Sequence, residues 1–333
     1  MPLTLSTPVE IDSIAAHFYE QYLKMYPLEA TMQGDSRYND LLPIDIDKDF
    51  IAGEIGFYND VQDQLEQVDY EGLSEDEKVV YDVLDTLLKD KIERYAYHPE
   101  YIPFTQFAGL PLDFPMLGSG QGAQPFESEL DYANWLKRMN QFPNWMESAK
   151  QNFRLGIKSG MVLPQVLVQR MIPQLRAEEL TSSEFETNIF FGPLRTMPKL
   201  FSAKEQEKWR SVYSKVVREK VIPAYLQMAE FLENEYLPKA RTTPGYNALP
   251  KGSGIYSYYV KSWTTTDKTP SEIHAIGLDE VSRLRGEMEK VKAQVGFEGS
   301  LEEFLTFVKT DQKAMPYSSS KEILDGFQAI LDK

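Results

Sequence analysis

The sequence predicts a mostly α-helical protein, a multi-helical domain with one or two short β-strands, and two observations carry that expectation. Helix-start signatures recur along the chain. A Ser or Thr with Glu three residues later stands at Thr7–Glu10, Ser74–Glu77, Ser202–Glu205, Thr269–Glu272, Ser300–Glu303 and Ser319–Glu322. In such a box the hydroxyl accepts the backbone N–H of the third residue and the carboxylate reaches back to the first, satisfying two orphan donors. Behind these starts, apolar residues recur at three- and four-residue spacing, as one buried face of a helix requires.

Taken in order, Pro8 sits at a first helical position, and Ile11, Ile14, Ala15, Phe18, Tyr22 and Met25 form one apolar face that ends near Pro27. Residues 35–43 read as a polar surface loop, and a second helix is expected over 50–68. Ser74 starts a third helix reaching about Tyr95, with Val79, Val80, Val83, Leu84, Leu87, Leu88 and Ile92 expected on its buried side. Residues 99–125 carry five prolines and four glycines. A stretch of this kind is either a functional loop or an ordered wrap held by Phe104, Phe107, Leu110, Phe114 and Met116. Helical spacing resumes at Ser128, with a break or kink expected at Pro143 and a stop at Gly160. A long helix follows from Ser202 to about Tyr236, bent near Pro223. The run Lys251–Val260 reads as a glycine-rich turn and a short strand, and helices from Pro270, Ser300 and Ser319 complete the chain. No repeat and no Gly/Ser linker divides it, so 1–333 reads as a single helical region.

Composition narrows the partners. The 333 residues carry a net charge of −16, a field that repels phosphate and argues against nucleic acid or an anionic membrane as ligand. There is no cysteine, which removes disulfides, thiolate nucleophiles and cysteine-based zinc sites. No apolar run approaches the roughly 20 residues of a membrane span. Met1–Ser6 has neither a basic region nor an apolar core, so no signal peptide is visible.

The most informative stretch is 249–311. Gly252-Ser253-Gly254-Ile255-Tyr256 leads to Thr264-Thr265-Thr266, then Thr269-Pro270-Ser271-Glu272-Ile273-His274 with Gly277-Leu278, then Gly296-Phe297 and Gly299-Ser300-Leu301. Upstream stands Tyr26-Pro27-Leu28-Glu29-Ala30-Thr31 with Gly34. This pattern resembles the DUF885 family, a large and mostly bacterial group that looks related to gluzincin-type zinc metallopeptidases. The resemblance implies the N-terminal part of a helical zincin-like peptidase. Zinc is expected in the full-length protein, a peptide as substrate, and the cell envelope or periplasm as location. The family's zinc segment, His-Glu followed by Gly-His-His, is absent here, and the last helix runs to Lys333 without a stop signal. Both point to the N-terminal portion of a longer protein, inactive by itself. The alternative is a non-catalytic helical binding protein of the cell envelope.

The residues present agree with the lack of a metal site. The three histidines, His17, His98 and His274, are too far apart in sequence to form the one-turn pair a zincin needs. His274 reads as a structural residue of a helix's first turn. Asp45-Ile46-Asp47-Lys48-Asp49 imitates a calcium loop, but Phe50 replaces the turn glycine and Gly56 the bidentate glutamate, so it reads as a solvated acidic loop. The substrate-contact candidates are Tyr256, Tyr258, Tyr259 and Gly254. On a strand Tyr256 and Tyr258 would share one face and Tyr259 the other, and by the resemblance that strand would border a peptide cleft.

Overall fold

A computed structural model of the chain describes residues 10–311, 313 and 315–333. It is helical throughout, and it divides into two compact units, 1–258 and 259–333. Among the described residues the only β pairing is one parallel bridge, in which Gln165 N–H donates to the Arg241 carbonyl and Arg241 N–H to that of Leu163.

In the first unit α1 (Ile11–Met25), α2 (Pro27–Met32), α3 (Lys48–Leu65) and α4 (Glu75–Arg94) come first. Ile11, Ile14 and Phe18 of α1, Tyr58, Val61 and Leu65 of α3, and Leu84 and Leu88 of α4 close a small core. The expected capping box at Thr7 lies outside the described residues, whereas that at Ser74 is formed. The buried side of α4 is narrower than the sequence suggests. Val79 and Val83 are exposed, because only the stripe facing α1 and α3 has neighbours.

The proline- and glycine-rich stretch holds a helix of its own, α5 (Leu110–Gly118). Its entry glycine, Gly109, sits at φ +129, and a Cβ there would lie 2.5 Å from that of Phe104. Phe114 of α5 stacks on Phe142 at 4.4 Å and on Trp135 at 4.5 Å. This aromatic stack is the centre of the larger core, built on α6 (Glu129–Ser159). Of the break or kink expected at Pro143, the break does not occur, and the helix runs on through the proline. Burial of Met139, Phe142 and Met146 on the same face holds the 31-residue helix together across the missing hydrogen bond. Gly160 ends it in the left-handed conformation, as expected.

After α7 (Gln165–Leu175), α8 (Glu178–Thr181) and α9 (Gly192–Arg195), a long helical stretch starts at the Ser202 capping box with α10 (Ala203–Val216) and continues through α11 (Ile222–Phe231). It contains two five-residue π turns, Val217–Val221 and Leu232–Tyr236. Each lies just before a proline, Pro223 and Pro238. A proline cannot donate to the carbonyl four residues back, so the ladder slips to the fifth: Ile222 N–H bonds Val217 and Leu237 N–H bonds Leu232.

The run read as a strand is helix α12 (Gly252–Thr264). Three tyrosines misled the spacing argument, because their rings suit a pleated surface as well as a helix face. In the second unit α13 (Pro270–Val295), α14 (Leu301–Thr310) and α15 (Ser320–Leu331) form where expected, with the Thr269 and Ser300 boxes made and α13 stopped by Gly296. Phe297, Phe304 and Phe307 cluster at the α13–α14 turn.

Two glycines of the first unit should respond oppositely to alanine. At Gly192 an added Cβ would stand 1.9 Å from the Ser119 carbonyl oxygen, a backbone atom. Overpacking of this kind costs about 1–3 kcal/mol. Gly53, exposed within α3, has nothing within 4 Å of that position, so Gly53→Ala should stabilise by up to about 1 kcal/mol. Urea unfolding of both variants checks this, and equal effects would contradict the packing described.

Candidate acidic cleft and tyrosine centre

α6 presents a polar stripe to the 27–46 segment. Arg138 is fully buried, and its guanidinium donates to Leu41 O at 3.0 Å, Tyr38 O at 3.1 Å, Pro27 O at 3.2 Å, Thr31 Oγ1 at 2.8 Å and Gln124 Oε1 at 2.5 Å. One turn on, Gln141 Oε1 accepts Leu42 N–H, Trp145 Nε1 donates to Asp45 Oδ1 at 2.7 Å, and Asn152 donates to Ile46 O. Positions 138, 141, 145 and 152 share one helix face. The segment is thus laid along α6 by hydrogen bonds, and its backbone acceptors, which would otherwise be buried unpaired, are satisfied.

Where the segment leaves α6, a cavity of about 240 Å³ opens. Its walls are Tyr26 to Glu29, Leu42, Pro43, Asp45, Gly109, Leu110, Asp113 and Trp145. Three carboxylates, Glu29, Asp45 and Asp113, share it with apolar side chains and an indole. Burial raises the Asp45 carboxyl above its ordinary range, while the Trp145 N–H draws it back down. Burial also raises Asp113. On its other side Asp45 borders a smaller cavity of about 70 Å³ with Arg94, Tyr95 and Glu100.

Tyr26 and Tyr95 join these cavities to a second polar centre. Glu54 is buried on α3, where its Oε1 accepts hydrogen bonds from the hydroxyls of Tyr26 and Tyr58, the latter at 2.5 Å, and its Oε2 accepts that of Tyr95. Lys91 lies over the rings of Tyr22, Tyr58 and Tyr26, 5.1, 5.6 and 6.0 Å from their centroids, a cation–π arrangement. Burial lowers the Lys91 ammonium below the usual lysine range, and the Glu54 charge opposes that. Burial, then the Glu54 charge and hydrogen bond, push the Tyr26, Tyr58 and Tyr95 phenols above the ordinary tyrosine range.

The sequence-selected residues fall elsewhere. On helix α12 Tyr256 is exposed whereas Tyr258 is buried, packed at 5.3 Å against Tyr97 with its hydroxyl donating to Asp90 O. The face that Tyr256 and Tyr258 would share on a strand does not exist, since residues two apart on a helix point about 200° apart. Gly254 faces Tyr97, whose ring a Cβ added there would meet at 3.6 Å, an ordinary contact, and Tyr259 stands on the same helix in the second unit. His17 packs edge-on to Phe57. His98 holds a left-handed backbone (φ 51), stacks on Tyr101 and pairs with Glu100 at 2.9 Å. His274 is exposed on α13. Asp45, expected in a solvated loop, instead turns inward to Trp145, whereas Asp47 of the same run accepts Asp49 N–H as the cap of α3. Glu54 went unselected, though its signal is in the sequence: it stands at helical spacing among Phe50, Tyr58, Val61 and Leu65, a charge on a buried face.

A protein-family model described as "Bacterial protein of unknown function (DUF885)" matches residues 27–333. The chain belongs to the DUF885 family. The match begins at Pro27, whose carbonyl takes the Arg138 bond. Among solved structures the chain is similar to "the putative lipoprotein from Colwellia psychrerythraea", with a TM-score of 0.77 and 22% identity over 92% of this chain. At that identity the likeness shows the fold. The DUF885 chain spans 55% of the length of that protein. No curated protein matches it. No helix among the described residues is long and apolar enough to cross a membrane.

Stability should fall at alkaline pH with a definite sign. The folded-state pKa values of Tyr26, Tyr58 and Tyr95 are raised, so their contribution is whole below the unfolded tyrosine value of about 10 and is lost as pH rises beyond it. Lys91, lowered, acts in the opposite sense, but only up to the ordinary lysine value of about 10.4. Absorbance at 295 nm should therefore show two phases for the nineteen tyrosines, the second coinciding with loss of helical circular dichroism. One phase near pH 10 with the helices intact would contradict the tyrosine centre.

Proposed function

We propose that this chain is the helical, substrate-side part of a DUF885-type zinc peptidase, acting on peptides in the cell envelope. The observation that carries the proposal is the acidic cleft at Asp45 and Trp145, a mixed polar and apolar cavity built wholly within the first unit. Carboxylates above apolar walls suit a peptide bearing a cationic group, either its free amino terminus or a Lys or Arg side chain, next to apolar residues. The envelope location is supported by the solved neighbour, which is itself described as a lipoprotein.

The residues described do not fit a zinc ion. His17, His98 and His274 each have a separate setting, and among the described residues no group of three His, Asp or Glu side chains could hold a metal. No step of peptide hydrolysis is therefore assigned to this chain, and the metal ligands would lie outside these 333 residues. What its residues do is bind. Asp45, held by the Trp145 N–H, presents its carboxylate in a fixed direction. Burial makes a partner charge more effective there than in water. Tyr256, exposed on α12, remains a candidate peptide contact through its ring, the strand-edge mode having no strand to use.

A second reading, a non-catalytic binding protein, has one observation in its favour. The cleft sets its carboxylates among apolar side chains and an indole, a lining suited to binding by itself. Zinc content and peptide turnover of the full-length gene product separate the two readings.

Titration calorimetry tests the cleft directly. Short peptides with a free amino terminus should bind the chain, and N-acetylated versions without Lys or Arg should not. Asp45→Asn should weaken binding about tenfold, equivalent to ~1.4 kcal/mol. Affinity indifferent to both acetylation and the substitution would sink the proposal.

A further inference from the structure

The second unit leaves apolar helix faces uncovered. On α13, Val281, Leu284, Met288, Val291 and Val295 follow a 3-4-3-4 spacing, and all five are exposed by 44% or more. That spacing is the a/d seam of a helix made to pack lengthwise on another helix. Its flanks differ in charge. Glu280 and Glu287 line one edge, Arg285 and Lys292 the other. The apolar side of α15, with Phe327 at 64% and Leu331 at 79%, is exposed too, as are Leu305 and Val308 of α14. Among the described residues of this unit only Phe304 is buried. Exposed apolar side chains on three successive helices are the raw material of a stable interface, which takes roughly 800 Å² from each partner. The α13 seam alone sets five exposed apolar side chains in one line, the kind of patch that marks an interaction site on a soluble protein.

We infer that the α13 seam and the α15 face form an intramolecular interface for further helical polypeptide of the same protein, the part that would carry the metal ligands. The inference rests on the proposed function for the existence of that part. Two observations choose this occupant over a second copy. The solved neighbour is a chain of which this one spans only 55%, so the fold is found with additional polypeptide attached. A parallel second copy would match the α13 charges, Glu280 to Arg285 and Glu287 to Lys292, but one two-helix seam covers one face and leaves α14 and α15 bare. A multi-helix body can cover all three. The helix that meets α13 should carry an apolar seam, basic residues along the Glu280–Glu287 edge and acidic residues along the Arg285–Lys292 edge.

The test compares the 333-residue chain with the product of the whole reading frame that encodes it, using anilinonaphthalene sulfonate fluorescence, hydrogen exchange and light scattering, with zinc content measured separately. The short chain should bind the dye several-fold more than the long product, and the α13 and α15 amides should be protected only in the latter. Leu284→Glu in the long product should raise dye binding several-fold and speed exchange in α13. If the long product holds zinc but Leu284→Glu changes neither readout, the interface is wrong and the peptidase reading stands. If zinc is absent but Leu284→Glu uncovers the faces, the interface stands and the peptidase reading fails. A reading frame that ends at Lys333, or a short chain that is a stable dimer broken by Leu284→Glu, overturns the inference.

Discussion

A buried guanidinium hydrogen-bonded to neutral oxygens is the constraint on which the first unit depends. Arg138 is inaccessible to water, yet its five hydrogen bonds all go to neutral oxygens, three of them backbone carbonyls of the Pro27–Leu41 segment. A buried cation is tolerable only when its donors are satisfied. Here the satisfaction comes from the short helix α2 and the turns that follow it, whose own carbonyls need donors. Each side resolves the other's unpaired groups. The arrangement is therefore cooperative: the segment has one place to lie, along α6, and the register set at Arg138 is repeated at Gln141, Trp145 and Asn152.

That register positions the cleft. With Leu41 and Ile46 both tied to α6, the intervening Leu42–Asp45 turn becomes a wall and Asp45 is directed at the indole N–H of Trp145. Tyr26, immediately before the first carbonyl bound by Arg138, is turned toward Glu54 on the opposite side. One short segment so links two buried charges, Arg138 in the larger core and Glu54 beside the smaller. Such networks are demanding, since a partly satisfied buried charge is worse than an apolar contact. Both networks reach the cavity through its wall, Arg138 by way of Pro27 and Glu54 by way of Tyr26.

Much of the helical framework was legible because local chemistry decides it. Ser74, Ser202, Thr269 and Ser300 each make the predicted reciprocal box, and Gly160 and Gly296 take the left-handed stops. Where packing overrides local preference, the reading failed. Pro143 should break a helix, but the aromatic stack against Phe114 and Trp135 holds it. The Tyr256–Val260 run has strand-like composition, yet Ile255 and Tyr258 bury one helical face. The Tyr26–Thr31 motif was visible as a family signature but not its reason, because its partners, Arg138 and Glu54, are 107 and 28 residues away from Thr31 and Tyr26. The site was legible only as anomalies: a glutamate on an apolar helix face, and an arginine on that of α6. Nothing in one sequence says that such anomalies meet.

The most direct test of the account is hydrogen exchange of the Arg138→Met chain, followed peptide by peptide. Methionine fills much of the same volume without the five donors, so the core of α6 should keep its protection. The account predicts exchange accelerated in 27–46, including the Asp45 wall, with α6, α10 and α11 little changed. Unchanged protection of 27–46, or loss spread evenly over the first unit, would contradict the claim that this one guanidinium positions the cleft.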